Sequence, residues 1–190
     1  RDMRKKKKRK TLIVLFVTLA VMFVSLLGLY CYFRVLYPMK YQDLISKYAE
    51  EYQLDPYFVS AVIWKESRFQ EDVVSSAGAI GLMQVMPETG RWISEKIGLE
   101  NYSDALLTDP ECNIQLGCWY LNYLTDVFQG DLTKILAGYN AGPNRVRTWL
   151  EDPEYSSDGT TLEKIPFVET ENYVQKVQQS YKIYRLLYQF

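Results

Sequence analysis

Asp55-Pro56-Tyr57-Phe58-Val59-Ser60-Ala61-Val62-Ile63-Trp64-Lys65-Glu66-Ser67-Arg68-Phe69 reads as one helix with a carboxylate set into its apolar face. Asp55 suits the N-cap. Pro56 suits the first helical position, where its missing N–H is not needed. Phe58, Val59, Val62, Ile63, Glu66 and Phe69 then recur at the spacing of a single helical face. A carboxylate there costs free energy unless it is paired, protonated or used. Desolvation by Val59, Val62 and Ile63 would raise its pKa and keep it protonated near neutral pH. On periodicity alone a plainer reading stands beside this one, in which Glu66 sits at the rim of the face and pairs with Lys65, Arg68 or a distant arginine.

Working outward, the rest of the chain from Pro38 repeats the helical signature. Tyr41, Leu44, Ile45, Tyr48 and Tyr52 follow the i, i+3, i+4, i+7 pattern. Residues 71–83, rich in Ser, Gly and Ala, read as a loop or short turn. Pro87 opens another helix, and Gly98 suits its end. Asp109-Pro110 repeats the cap-and-proline start for a helix running through Ile114, Leu121, Leu124 and Phe128 to Gly130. Asp131 caps a shorter helix ending at Tyr139-Asn140-Ala141-Gly142-Pro143. Val146, Trp149 and Leu150 suggest a turn or two more. Residues 151–166 are polar and read as a surface loop, and a last helix carries Tyr173, Val177, Tyr181, Tyr184 and Leu187. No run alternates as a strand would. The expected class is all-α, with at most a small β-element near 71–86 or 155–165.

Charge is uneven. Residues 1–10 carry a net +7 against −1 for the whole chain of 190 residues, so residues 11–190 carry −8. The basic run alone would suggest nucleic acid, but it abuts Leu12–Phe33, 22 residues without a charge. As a helix that segment spans about 33 Å, enough for a hydrocarbon core of about 30 Å. The Lys/Arg excess on its N-terminal flank places that flank in the cytoplasm and residues 38–190 outside, with Tyr30, Tyr32, Phe33 and Tyr37 as an outer aromatic belt. A cleaved signal peptide is the competing reading. The length of the run favours an uncleaved anchor. The expected organisation is a basic cytoplasmic tail at 1–10, a transmembrane anchor at 11–37 and one globular domain at 38–190. The tail would meet anionic lipid, and no nucleic acid is expected.

Histidine is absent, which removes His-based triads and most zinc hydrolase sites. No metal or cofactor is expected. Cys112 and Cys118 fall on different faces of one helix, about 9 Å apart along its axis, so free buried thiols are expected rather than a disulfide.

Four blocks carry a resemblance. They are Glu66-Ser67-Arg68-Phe69, Gly78-Ala79-Ile80-Gly81-Leu82-Met83-Gln84-Val85-Met86-Pro87, Ala137-Gly138-Tyr139-Asn140-Ala141-Gly142-Pro143 and Pro166-Phe167-Val168-Glu169-Thr170-Glu171-Asn172-Tyr173-Val174. In this order they resemble the transglycosylase domain of the soluble lytic transglycosylase family, which is similar in fold to goose-type lysozyme. The resemblance covers about residues 40–190. It implies that Glu66 is a single catalytic acid/base. It also implies that Ser67 and Ser76 lie near the sugar, that Gly81, Leu82, Met83 and Gln84 shape the cleft floor, that Tyr139 and Asn140 line the opposite wall, and that Tyr173 closes part of the site. The implied substrate is peptidoglycan. Glu66 would protonate the β-1,4 glycosidic oxygen between N-acetylmuramic acid and N-acetylglucosamine, then draw the proton from the C6 hydroxyl as C6–O closes on C1.

Each of these residues also has a bland reading. Gly78 and Gly81 would permit tight turns, Met83 would fill core, Tyr139 and Tyr173 would be packed aromatics, and Asn140 would be a helix stop. Two other functions stay open: a lysozyme-type muramidase in which Glu71, Asp72 or Glu88 holds a water, and a non-catalytic scaffold of a wall-spanning complex.

Overall fold

The computed structural model describes residues 2–190, the side chains of Asp2, Arg4 and Lys5 excepted. Arg1 of the basic tail lies outside the described residues. The chain divides into two compact units, Arg1–Pro38 and Met39–Phe190. In the first, α1 (Asp2–Leu36) is one uninterrupted helix. Its segment Lys6–Leu36 is long and apolar enough to cross a membrane by length and composition. Phe16, Phe23, Val24 and the apolar residues around them are exposed along it, whereas a water-soluble helix would hide one such stripe against a core.

The second unit is all-α. It runs α2 (Gln42–Glu51), α3 (Pro56–Ser67), α4 (Pro87–Ile97), a 3-10 turn (Asp104–Thr108), α5 (Pro110–Val127), α6 (Leu132–Ala141), α7 (Pro143–Glu151) and α8 (Val168–Leu187). The starts follow capping chemistry. Asp55, Asp109 and Asp131 accept hydrogen bonds from the backbone N–H of Tyr57, Cys112 and Lys134 at 2.8, 2.9 and 3.0 Å, satisfying donors the helix cannot. Gly98 ends α4 in the left-handed conformation, φ 67°, as glycine does at low cost.

α3 departs from the amphipathic reading. Ser60, Ala61 and Trp64 are buried along with Val59, Val62 and Ile63, so the helix is enclosed on nearly every side. It packs against α8 and α2, while α6 lies against α5, α7 and α8. A helix enclosed this way is a rigid element, and Glu66 sits in its last turn.

The loop between α3 and α4 holds isolated antiparallel bridges, Val74 to Ile80 and Ile80 to Val85. This is the small β-element the sequence left open, and no strand forms among the described residues. Residues 151–166 are not a loose insertion. Ser156 and Leu162 are buried, the N–H groups of Glu163 and Lys164 both reach the Tyr155 carbonyl, and Lys134 Nζ donates to the Thr160 carbonyl at 2.8 Å. Cys112 and Cys118 are free and buried.

Candidate active site

Two turns of α3 lead to Glu66 through Val59, Val62 and Ile63, none with any exposure. Glu66 itself keeps a partial opening to solvent. Burial pushes its carboxyl from 4.5 up to about 7, opposed first by the Tyr173 hydroxyl and then by the charge of Lys65. No ion pair reaches Glu66 among the described residues. The cations that would have made it an ordinary paired glutamate are turned elsewhere. The Arg68 guanidinium lies over the Trp64 ring at 3.5 Å, and the Lys65 amine lies over the Tyr173 ring at 5.0 Å.

The chain then turns sharply. Arg68 and Phe69 have φ of 54° and 61°, a pair of left-handed non-glycine residues that costs about 1–3 kcal/mol each. Burial of Phe69 to 1% exposure offsets part of this. The turn throws the following loop back across the end of α3.

That loop is tied to the helix and to α5. The Ser67 hydroxyl donates to the Leu82 carbonyl at 2.8 Å. Asn113 on α5 accepts from Met83 N–H at 2.7 Å and donates through Nδ2 to the carbonyls of Ile80 and Leu107 at 2.9 and 2.7 Å. Gly81, at φ 81°, lies so close to this clamp that a Cβ would sit 2.2 Å from the Leu107 carbonyl and 2.3 Å from Asn113 Nδ2. Above the loop, the Tyr139 hydroxyl on α6 donates to the Met83 carbonyl at 2.7 Å.

Tyr139 and Tyr173 converge on Glu66. Burial holds both phenols well above their ordinary pKa, and the Glu66 carboxyl adds to the shift in each. The Tyr173 hydroxyl is fully buried and turned to Glu66 at a geometry looser than a full hydrogen bond. The Tyr139 ring also lines a cavity of about 240 Å³ together with Gln84, Val85, Thr89, Tyr120 and Asn140. A second cavity of about 440 Å³ adjoins it through Asn140 and Ala141 and is walled by Arg145, Phe167, Glu169 and Thr170. Tyr139 thus borders the cleft and also feels the charge of the Glu66 carboxyl.

The structure redistributes the other expected site residues. Ser67 is buried, and its hydroxyl is spent on the loop. Leu82 and Met83 bury their side chains completely and contribute backbone to the floor. Gln84 lines the cleft, but its Nε2 folds back onto the carbonyls of Val73 and Gly81 at 3.0 and 2.9 Å. That leaves Oε1 as its free group. Asn140 Oδ1 accepts from the Thr170 hydroxyl at 2.8 Å, tying α6 to α8, and its amide donors remain. Ser76 is exposed in the turn closed by Ser75, and no contact joins it to Glu66.

Sequence reasoning missed Asn113 and Tyr120. With Gly117 they occupy positions i, i+7 and i+4 of α5, one stripe. A Cβ at Gly117 would meet Met83 Sδ at 2.3 Å. A polar residue, a glycine and a tyrosine interrupting an apolar helix at that spacing was the available signal.

Comparison with known proteins bears on this arrangement. Residues 43–160 match the family described as the transglycosylase SLT domain. The soluble lytic murein transglycosylase of Escherichia coli K12 is 38% identical over 143 residues, covering 74% of this chain and 22% of the relative. Membrane-bound lytic murein transglycosylase C of Actinobacillus pleuropneumoniae serotype 5b is 33% identical over 127 residues, 62% of this chain and 35% of the relative. Among solved structures, the 70 kDa soluble lytic transglycosylase of Escherichia coli superposes with a TM-score of 0.75 at 34% identity, covering 84% of this chain and 26% of that one. An inactive variant of lytic transglycosylase Slt from Pseudomonas aeruginosa gives 0.73 at 37% identity, covering 80% and 25%. The chain therefore spans only 22% to 35% of the length of these relatives. The match covers more than half of the chain and takes in α3, the clamped loop and the α6 wall: this chain belongs to the transglycosylase SLT domain family.

Proposed function

We propose that the protein is a membrane-anchored peptidoglycan lytic transglycosylase with Glu66 as its single acid/base. The observation that carries this reading is an unpaired carboxyl on a rigid helix, held by burial at a pKa of about 7 and approached by two buried tyrosine hydroxyls beside an open cleft. Such a group is half protonated at neutral pH, suited to give a proton to a leaving oxygen and to take one back. Two-carboxylate glycosidases need a second acid within about 5–9.5 Å. No other carboxylate contributes to the environment of Glu66, and Glu71, Asp72 and Glu88 are exposed.

The reaction then proceeds on the substrate's own groups. Glu66 protonates the glycosidic oxygen as the C1–O4 bond between N-acetylmuramic acid and N-acetylglucosamine breaks. The N-acetyl oxygen of the muramic residue supports the positive charge at C1. The Glu66 carboxylate then takes the C6 hydroxyl proton while C6–O bonds to C1, giving a 1,6-anhydromuramoyl end with no water consumed. Catalysis by a positioned acid of this kind supplies about 10²–10⁴-fold. The apolar helix α1 and its basic N-terminal flank support a single-pass anchor with the tail in the cytoplasm against anionic lipid and residues 38–190 on the wall side.

The test is mass spectrometry of peptidoglycan digested by the full chain in detergent, with Glu66→Gln as control. Muropeptides about 18 Da lighter than their hydrated counterparts are expected, since C6–O replaces water as nucleophile. Hydrated reducing ends alone would make the enzyme a muramidase. Equal, negligible activity of wild type and Glu66→Gln would make it a scaffold.

A further inference from the structure

Tyr120 belongs to two sets of contacts. Its ring stands 5.5 Å from that of Tyr139, and both line the cleft. On its other side it lies 6.1 Å from Tyr123, the planes 14° apart, and Tyr123 stacks on Trp119 at 5.8 Å and 3°. Trp92, from α4, stands edge-on to Trp119 and Tyr123 at 5.1 and 5.2 Å. On α5, Tyr123 lies three residues after Tyr120 and four after Trp119, so it neighbours both on the helix surface. All four rings remain partly open to solvent, whereas Leu121 and Leu124 beside them are fully buried.

Trp119, Tyr120 and Tyr123 form a run of near-parallel rings that begins at the cleft wall, with Trp92 edge-on beside it. No Lys or Arg lies over any of the four among the described residues, so their faces are not already taken by cations. The C–H face of a pyranose ring is apolar and bears partial positive charge, which suits the negative face of an aromatic ring. Rings locked by their neighbours also lose little entropy when a ligand settles on them.

We propose that Trp92, Trp119, Tyr120 and Tyr123 form an aromatic shelf that continues the cleft beyond Tyr139 and binds further pyranose rings of the same β-1,4-linked glycan strand. The identity of that strand rests on the function proposed above. The shelf lengthens the footprint of the site, so that long strands are held more tightly than short ones.

The test uses full-length protein carrying Glu66→Gln, in detergent, titrated with chitohexaose and with chitobiose by tryptophan fluorescence and sedimented with insoluble peptidoglycan sacculi. Adding Trp119→Leu is expected to weaken hexasaccharide binding about tenfold, or about 1.4 kcal/mol, and to lower retention on sacculi. The disaccharide, too short to reach from cleft to shelf, should bind both proteins equally. Trp92→Leu, on a different helix, carries the same expectation if the Trp119 variant fails to fold. Hexasaccharide affinity that is unchanged in both variants would overturn the proposal, as would a loss that is equal for the two sugars. Product analysis separates this from the catalytic reading. Anhydro product with shelf-independent binding sinks the shelf alone, and shelf-dependent binding with no product sinks the chemistry alone.

Discussion

Replacing Glu66 by Gln should raise stability, and the pH dependence of the gain isolates the cause. In the unfolded chain Glu66 titrates near 4.5, and burial moves it to about 7 in the folded state. Below pH 4.5 both states hold the proton and nothing is lost. As pH rises from 4.5 towards 7 the unfolded chain ionises freely while the folded one does not, so stability falls. Above 7 the full penalty is in place, about 3 kcal/mol at about 1.4 kcal/mol per pH unit. Gln cannot ionise and escapes it. The difference between variant and wild type should therefore grow by about 2.5 kcal/mol between pH 5 and pH 8. For a chain of this size that is about 5–10 °C in the unfolding midpoint. Thermal unfolding of both full-length proteins in detergent, followed by tryptophan fluorescence at the two pH values, reads it directly. A gain of the same size at both pH values would mean that Gln merely packs better. A larger gain at pH 5 would refute the assignment of a buried, proton-holding carboxyl.

The same group sets the rate profile. kcat/KM should be flat at mildly acidic pH and fall about tenfold per pH unit above about 7, since only protonated Glu66 can donate; a steady-state series of product release from pH 5 to 9 measures this. Asn113→Ala strands Met83 N–H and the Leu107 carbonyl, whereas the Ile80 carbonyl keeps its bond from Val85 N–H. At about 1–3 kcal/mol per orphaned buried group, a loss of at least about 2 kcal/mol is expected in urea unfolding. Gly81→Ala places a Cβ against the Leu107 carbonyl at a positive φ and should cost more than about 4 kcal/mol. Soluble protein with wild-type stability and activity would show that the loop is not clamped as described.

Elements governed by local rules were legible in the sequence. Asp55-Pro56, Asp109-Pro110 and Asp131 fix helix starts because an N-cap depends on a few adjacent residues. Glu66 was legible because Val59, Val62 and Ile63, all fully buried, mark its helical face as apolar in the sequence itself. The clamp was not, because Asn113 acts on residues 30 to 33 positions away, and nothing local marks such a contact. The backbone bonds of Ser67 and Gln84 were hidden for a related reason. A hydroxyl or amide beside a site is as able to bond the loop as the ligand, and only the fold decides between backbone and substrate. The all-round burial of α3 was hidden because Ser60 and Ala61 look like a solvent face until α8 and α2 are packed on it.

Unfavourable terms collect at the end of α3. Glu66 lacks a counter-ion, Tyr173 lacks a hydrogen-bond partner, and Arg68 and Phe69 turn left-handed. Glu66 also lies one residue from the C-terminal end of the helix, where the backbone carbonyls disfavour a negative charge and so reinforce the effect of burial. Relieving any of these is chemically simple: a lysine swung onto Glu66 would suffice. The structure withholds that relief by giving the two adjacent cations aromatic rings to lie on, Trp64 for Arg68 and Tyr173 for Lys65. The second of these uses a ring whose hydroxyl faces the acid, so one side chain both holds the cation and borders the carboxyl. Removal of the Tyr173 ring would take away the hydroxyl that most opposes the rise in the Glu66 pKa and leave Lys65 without its aromatic platform. The stabilising contacts around the site, from Ser67 to Leu82 and from Asn113 to Met83, bind neighbouring backbone and leave the acid without an ion pair among the described residues. That pattern is what distinguishes a buried carboxyl kept for proton transfer from one that is merely tolerated.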